Sequence, residues 1–258
     1  MHDVPDDHPR AVSLRMRAAI AKHAATGLVA ETGPIAHGRG EAFDYILGEA
    51  TPAPVLEDIQ AAAALLLQAK YPVISVNGNT AALAPESLVA LANEIPAKLE
   101  VNVFYGRTAD REKMIAEFLQ SYGAIGVLGV QAEARVPHLT SARASVDKDG
   151  IAKADVVVVP LEDGDRTEAL IAWGKKVISI DLNPMSRTAR TATLNICDNV
   201  TRALPLLVSA VGKLKGDTKT IERLVRDIDN SRTAAHVFAF MRERLTMLEK
   251  QASSKTGS

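Results

Sequence analysis

The chain has 258 residues, of which 47% are hydrophobic, 24% are charged and 4% are aromatic, and its formal net charge is −1. These values are typical of a globular protein with a well-buried core, and they argue against nucleic acid or an anionic membrane as a partner. A single cysteine, Cys197, excludes an internal disulfide, and the longest apolar run, 61–67, is too short to span a bilayer. We therefore expect a cytoplasmic protein.

Segments with helical periodicity alternate with short β-branched runs along the chain. We predict helices over 8–25, 41–47, 51–70, 85–95, 109–122, 165–176 and 200–211, and one or two more over 219–250. We predict six strands, over 73–76, 99–104, 125–128, 155–159, 177–181 and 193–197. Because crossovers between parallel strands are right-handed, this alternation predicts a doubly wound, mostly parallel α/β sheet with helices on both faces.

The organisation expected from this alternation is a single α/β domain over residues 1–258. Its parts are a core over about 8–212, C-terminal helices over about 218–250 and a disordered tail over 253–258. The polar segment 131–150 has little periodicity, and so long a loop in a compact domain often serves as a lid or an interface.

Polar side chains crowd the two loops that follow the strands 155–159 and 177–181. The first loop holds Glu162, Asp163, Asp165 and Arg166, and the second holds Asp181, Asn183, Ser186, Arg187 and Thr188. Open α/β sheets bind ligands at the carboxyl ends of their strands. Arginine with small hydroxyls suits phosphate, Asp181 suits a ribose hydroxyl, and the acidic first loop suits Mg²⁺ or an ammonium group. The spacing alone predicts a site for a nucleotide or a phosphorylated metabolite. The alternative is that the first loop is simply the start of a helix, where the helix dipole favours acidic residues.

Two further segments have a structural and a functional interpretation. Gly33, Gly38 and Gly40 predict a flexible loop around His37 and Arg39, which either offers backbone N–H groups to an anion or forms a capped turn. Asn77 and Asn79 follow a predicted strand, and they either form a simple turn or present their amides to a ligand.

Several motifs of common enzyme classes are absent from the sequence. It contains no G-x-x-x-x-G-K-[ST], no G-x-G-x-x-G, no G-x-S-x-G, no H-E-x-x-H and no paired cysteines. Phosphate binding by an ordinary P-loop is therefore excluded. The motif that best indicates dinucleotide redox chemistry is missing, and a zinc site is improbable.

Seven longer motifs resemble those of the archaeal phosphopantothenate synthetase family, also called 4-phosphopantoate–β-alanine ligase. They are HPRAVSLRMR (8–17), IAHGRGEAFDYILGE (35–49), PVISVNGNTAAL (72–83), EVNVFY (100–105), ADVVVVPLEDGDRTEAL (154–170), IDLNPMSRTA (180–189) and DNVTRALP (198–205). The resemblance covers about residues 5–210. It implies a Rossmann-like homodimer in the archaeal route to coenzyme A, which joins 4-phosphopantoate to β-alanine through an acyl-adenylate while ATP, with Mg²⁺, is converted to AMP and diphosphate.

The resemblance also implies which residues bind each substrate. The ATP residues would be Arg17, Arg39, Asp181, Leu182, Asn183, Arg187, Thr188, Asn199 and Val200. For 4-phosphopantoate and β-alanine we expect Asn77, Asn79, Asp163, Asp165 and Arg166, with His37 and Arg39 as catalytic residues and His37 as the candidate proton acceptor. The alternatives are a nucleotide-dependent oxidoreductase and a non-catalytic nucleotide-binding protein on the same fold.

Overall fold

The computed structural model describes residues 4–103 and 109–255. The helices are α1 (Ala11–Ala25), α2 (Gly33–Leu47), α3 (Ala53–Gln68), α4 (Gly78–Leu83), α5 (Pro85–Glu94), α6 (Ala109–Ser121), α7 (Gly164–Ala172), α8 (Arg187–Thr191), α9 (Val200–Leu214), α10 (Thr218–Arg226) and α11 (Asn230–Lys255). The strands are β1 (Pro72–Val76), β2 (Lys98–Val101), β3 (Ala134–Arg135), β4 (Ser145–Val146), β5 (Val156–Pro160), β6 (Lys176–Ile180) and β7 (Leu194–Ile196).

Five strands form the central sheet in the order β2-β1-β5-β6-β7, and each neighbouring pair is parallel. Strands β1 and β5 are buried along their whole length, which explains why apolar residues predominate in both. The chain leaves β1 toward β2 and then returns to β5 on the other side of β1. The direction of winding therefore reverses between β1 and β5, and such a reversal opens a crevice at the carboxyl ends of the strands.

Two apolar layers cover the sheet, because successive strand residues point to opposite faces. On one face Ile74, Val158 and Ile178 pack with helices that include α3, α5 and α9. On the other face Val73 and Val157 pack with α7 and with the segment that carries the β3–β4 hairpin. Within the described ranges, no helix is long and apolar enough to cross a membrane.

The structure differs from the predicted strand pattern on the β2 side of the sheet. Residues 125–128, predicted as a sixth strand, contribute only a bridge between Leu128 and Glu100. Ile125 is 93% exposed and Gly126 has a φ of 63°, so this segment lacks both the apolar cover and the backbone of an inner strand. The strand predicted over 99–104 ends at Val101, and Phe104 lies outside the described residues.

The C-terminal helices extend further than the sequence suggested. Helix α11 continues to Lys255, so residues 253–255, predicted to be disordered, are helical, whereas 256–258 lie outside the described residues. Helix α10 lies against α3, and α11 contacts both α2 and α3. The segment therefore packs on the same side of the sheet as α9.

Candidate active site

Four loops meet at the carboxyl edge of the sheet, after β1, β5, β6 and β7. The Asn77 amide joins the first two, because its Nδ2 donates to the carbonyl oxygens of Pro160 and Leu161 at 3.0 and 3.1 Å. The hydroxyl of Thr188 joins the next pair by donating to the Glu162 carbonyl at 3.0 Å. The two polar loops predicted from the sequence are therefore neighbours, and they flank the crevice beside β1.

Asn77 and Asn79 use their amides within the protein. Asn77 caps α4, since its Oδ1 accepts from the Thr80 N–H at 3.0 Å, and Asn79 Nδ2 donates to the Gly33 carbonyl at 2.9 Å. Leu161 has a φ of 53°, which aims its carbonyl at the Asn77 amide and is unusual for a residue with a side chain. Of the two interpretations of this segment, the structure supports the turn that braces the crevice.

The loop after β6 is held in shape by Asp181. Its Oδ1 accepts from the Asn183 N–H at 2.9 Å, and its Oδ2 accepts from the Ser186 hydroxyl, which in turn caps α8. Burial raises the pKa of Asp181, while the hydrogen bonds from Ser186 and Asn183 and the charge of Arg39 lower it. Arg39 is therefore close enough to the Asp181 carboxylate to influence its charge.

Helix α2 carries His37 and Arg39, and it begins earlier than predicted. Residues 33–40, expected to be a flexible glycine-rich loop, form its first turns. Gly33 is required there because a Cβ would clash with Val29 and Asn79, and a Cβ at Gly40 would lie 3.5 Å from Leu182. Gly33 thus lets the helix approach Val29 and Asn79, and exposed Arg39 lies beside the loop after β6.

His37 is half-buried on α2. Its Nε2 atom is buried and has no hydrogen-bond partner among the described residues. Burial lowers the pKa of His37, and Arg17 adds to this effect, whereas Glu41 and Asp44 oppose it. The imidazole is therefore neutral near pH 7 and can accept a proton.

Arg17 reaches the same region from α1. It pairs with Glu41 of α2 through both carboxylate oxygens, at 2.8 to 3.0 Å, and it also donates to the Tyr45 hydroxyl at 3.0 Å. The Arg17 side chain is 42% exposed, and the Glu41 hydrogen bond raises its pKa. Glu41 thus orients the guanidinium without removing it from solvent.

The loop after β7 ends in the cap of α9. Asn199 Oδ1 accepts from the Thr201 N–H at 3.1 Å, and Asn199 Nδ2 donates to Asp44 Oδ2 at 3.1 Å. The whole Asn199 amide is therefore engaged within the protein. Val200 follows as the first residue of a 15-residue helix, where the helix dipole favours an anion.

A buried cluster of charges, formed by Arg143, Glu162 and Arg166, lies beneath the loop after β5. Glu162 accepts from Arg143 at 2.6 Å and from Arg166 at 2.5 Å, and the three side chains are 5%, 1% and 0% exposed. Arg166 Nη1 also donates to the Ser75 hydroxyl at 3.0 Å. Arg166, predicted to contact substrate, is therefore fully buried in this structure and supports the loop from below.

The remaining charges of the two loops pair with each other. Asp163 caps α7 by accepting from the Arg166 N–H at 2.9 Å, and its other oxygen accepts from Arg143 at 2.8 Å. Asp165 pairs with Arg187, whose side chain is 59% exposed. The predicted substrate and nucleotide loops are thus joined by an ion pair at the surface.

Sequence reasoning missed Arg143, Asn102 and Glu100 as parts of this region. Asn102 follows β2 and donates to the Ser145 carbonyl at 2.9 Å, while its Oδ1 accepts from Arg143 at 3.2 Å. Glu100, which is fully buried, accepts the backbone N–H groups of Asp147 and Ile151 at 3.0 and 2.6 Å. These contacts fix the segment 131–150 against β2. In the sequence, the polar residues of the motif E-V-N at the end of β2 were the feature that could have indicated them.

Known proteins are similar to this chain over nearly its whole length. A family model described as phosphopantothenate/pantothenate synthetase matches residues 54–244. A 4-phosphopantoate–β-alanine ligase of Thermococcus onnurineus is 49% identical over 96% of this chain and 95% of its own length. Ligases of the same name from Thermococcus kodakarensis and Methanosarcina mazei are 47% and 45% identical over 97% and 100% of both chains. On these matches, the chain belongs to the phosphopantothenate/pantothenate synthetase family.

Proposed function

We propose that the protein is an ATP-dependent 4-phosphopantoate–β-alanine ligase of coenzyme A biosynthesis. The observation that carries the proposal is the near-full-length similarity, at 45–49% identity, to four relatives that bear this name. The geometry supports it, since exposed Arg187, the N-terminus of α9 and the buried Asp181 carboxylate lie at the carboxyl edge of the sheet. This arrangement suits a nucleotide and a second phosphorylated substrate.

The proposed reaction has two steps. A carboxylate oxygen of 4-phosphopantoate attacks the α-phosphorus of ATP, diphosphate leaves, and an acyl-adenylate forms. The neutral amine of β-alanine then attacks the acyl carbon, an amide bond forms, and AMP leaves with the electron pair of the broken C–O bond. The protein must therefore neutralise phosphates, align the two reacting groups and accept the proton that the amine loses.

For the nucleotide we propose the side reached by α1, α2, the loop after β6 and the start of α9. Arg17 and Arg39 would contact phosphates, the Asp181 loop would hold the ribose, and the Val200 N–H would meet an anionic oxygen. The full proposed set is Arg17, Arg39, Asp181, Leu182, Asn183, Arg187, Thr188, Asn199 and Val200. Exposed arginines fit this role because a phosphate can reach them without moving the protein interior.

For 4-phosphopantoate and β-alanine we propose the side of the crevice between β1 and β5. Asp163, Asp165, Asn77 and Asn79 line or brace this side, and Arg166 would act through the shape that it gives to the loop. His37, neutral because burial lowers its pKa, is the proposed acceptor of the amine proton.

Several finer features belong to the same proposal. The strand order β2-β1-β5-β6-β7, with the isolated bridge of Leu128 beside β2, supports a Rossmann-like topology, and we propose a single α/β domain of that type. Within the described ranges, no group of three metal-ligating side chains forms, so Mg²⁺ would arrive bound to the ATP phosphates. A homodimer and a cytoplasmic location complete the proposal; the buried lone Cys197 fits a reducing compartment.

The test is an assay with ATP, 4-phosphopantoate and β-alanine that measures AMP and 4′-phosphopantothenate. We expect both products only when all three substrates are present, and exchange of labelled diphosphate into ATP when β-alanine is omitted. A nucleotide sensor would bind ATP without forming AMP, and an oxidoreductase would instead change the absorbance of a nicotinamide. Absence of substrate-dependent AMP would refute the ligase.

A further inference from the structure

We infer that Asp44 and Arg202 are positioning residues, which hold the nucleotide side of the site in shape by tying α2 to the first turn of α9. The inference rests on the proposed roles of Arg39 and of Asn199 and Val200 in ATP binding. Neither Asp44 nor Arg202 belongs to the set proposed to contact the nucleotide.

Asp44 is the point where the two helices meet. Its side chain is 3% exposed, and its Oδ2 accepts from Asn199 Nδ2 and from Arg202 Nη1, both at 3.1 Å. Its Oδ1 accepts from Arg202 Nη2 at 2.6 Å. One carboxylate therefore fixes both the residue that caps α9 and an arginine in the first turn of the same helix.

Arg202 connects this carboxylate to the end of β7. Its guanidinium donates to Asp198 Oδ1 from Nε at 2.9 Å and from Nη2 at 2.6 Å. Asp198 accepts the Asn199 N–H at 2.7 Å, and its other oxygen accepts the Thr51 hydroxyl at 2.6 Å. Two buried carboxylates thus share one guanidinium, and its planar fork of donors sets the angle between them.

Burying these charged groups costs desolvation energy that apolar packing would avoid. We therefore take the benefit of the network to be the fixed relative position of the groups that it joins. Arg39 lies five residues before Asp44 on α2, a little more than one helical turn away. The network therefore fixes, together, the helix that presents Arg39 and the N-terminus that presents Val200. Binding groups that are displaced by about 1 Å lose much of their effect.

The experiment measures ATP binding by titration calorimetry with ATP alone, and KM values for all three substrates. We expect Asp44→Asn to weaken ATP binding about tenfold and to leave the KM values of 4-phosphopantoate and β-alanine within about twofold, because it removes one acceptor of charge-assisted hydrogen bonds. The matched control is Glu94→Gln, which breaks the exposed ion pair with Lys215 at the other end of α9 and should not change ATP binding.

Arg202→Lys is the second variant, because it keeps the positive charge but lacks the fork. We expect it to fold and still bind ATP about tenfold more weakly. A folded Asp44→Asn or Arg202→Lys variant with ATP affinity within about twofold of the unaltered protein would overturn the inference, as would an equal rise of all three KM values. If the unaltered protein does not bind ATP, the proposed function fails, which is a separate result.

Discussion

Replacing Glu162 with Gln is expected to destabilise the protein strongly. Glu162 lies between Arg143 and Arg166, at 2.6 and 2.5 Å, and none of the three side chains is more than 5% exposed. The substitution leaves the buried Arg166 guanidinium without its carboxylate partner and leaves Arg143 with Asp163 alone. Removing one partner of a buried ion pair costs about 3–5 kcal/mol, so we expect the free energy of unfolding to fall by about 4 kcal/mol.

The matched variant is Arg143→Met, which leaves Glu162 paired with Arg166. The second partner of Arg143, Asp163, is 31% exposed and can be hydrated once Arg143 is removed. We therefore expect the free energy of unfolding to fall by only about 2 kcal/mol. Urea unfolding at pH 7, followed by circular dichroism, measures both losses. The reasoning is refuted if Glu162→Gln costs no more than Arg143→Met, because the shared counterion would then carry no special weight.

Three further changes probe other parts of the molecule. Arg39→Ala should raise the KM for ATP or lower turnover about tenfold or more, since a charge-assisted contact is worth about 1.5–3 kcal/mol, and unchanged steady-state kinetics in a folded variant would remove Arg39 from the site. Burial raises the pKa of Glu100 from 4.5 to about 7, so the folded state binds a proton more tightly than the unfolded chain, and the stability should fall by about 3 kcal/mol as the pH rises through that window. Glu100→Gln should flatten this fall in a series of urea titrations between pH 4 and about 8, and an identical slope would count against it. Asn77→Ala should lower the free energy of unfolding by about 2 kcal/mol, while Asn77→Ser, which keeps an oxygen that can cap α4, should lower it by about half as much, and equal losses would contradict the assigned cap.

The inner strands could be predicted from the sequence because both of their faces are buried. β1, β5 and β6 each lie within one residue of the predicted bounds, since a short run rich in β-branched residues fits a strand that is buried on both faces. The run at 125–128 is also largely apolar, but it contains Gly126 and is exposed at Ile125. Local composition cannot distinguish an apolar segment that is covered from one that is not, so the prediction of a sixth strand was wrong.

The start of α2 could not be predicted for a related reason. Three glycines within eight residues usually indicate a loop, because glycine weakens a helix. Here one of those glycines, Gly33, allows close packing of the helix against Val29 and Asn79. The tertiary contacts therefore outweigh the local preference of glycine for loops. A single sequence does not show which distant residues will pack against a helix, so it could not predict this start.

The sequence contains a local indication of the buried charges beneath the loop after β5, but the same residues also fit a ligand site. Glu162 and Arg166 are four residues apart, a spacing that brings two side chains together at the start of a helix. Arg143, which completes the cluster, comes from the aperiodic segment 131–150 and could be placed only by the fold. The polar residues of this loop predicted a ligand site, and the structure places two of them, Glu162 and Arg166, in the interior.

Exposure decides which arginines can serve a polyphosphate. Arg166 and Arg143 are already paired and buried, and freeing either one for a ligand would strand Glu162 in the interior. Arg39 is exposed, and Arg187 is 59% exposed with its charge shared with surface carboxylates. Exchanging such a partner for a phosphate costs little, because exposed ion pairs are worth at most about 1 kcal/mol. The two buried arginines therefore give the loop its shape, and the two exposed arginines are the ones that we propose for the nucleotide.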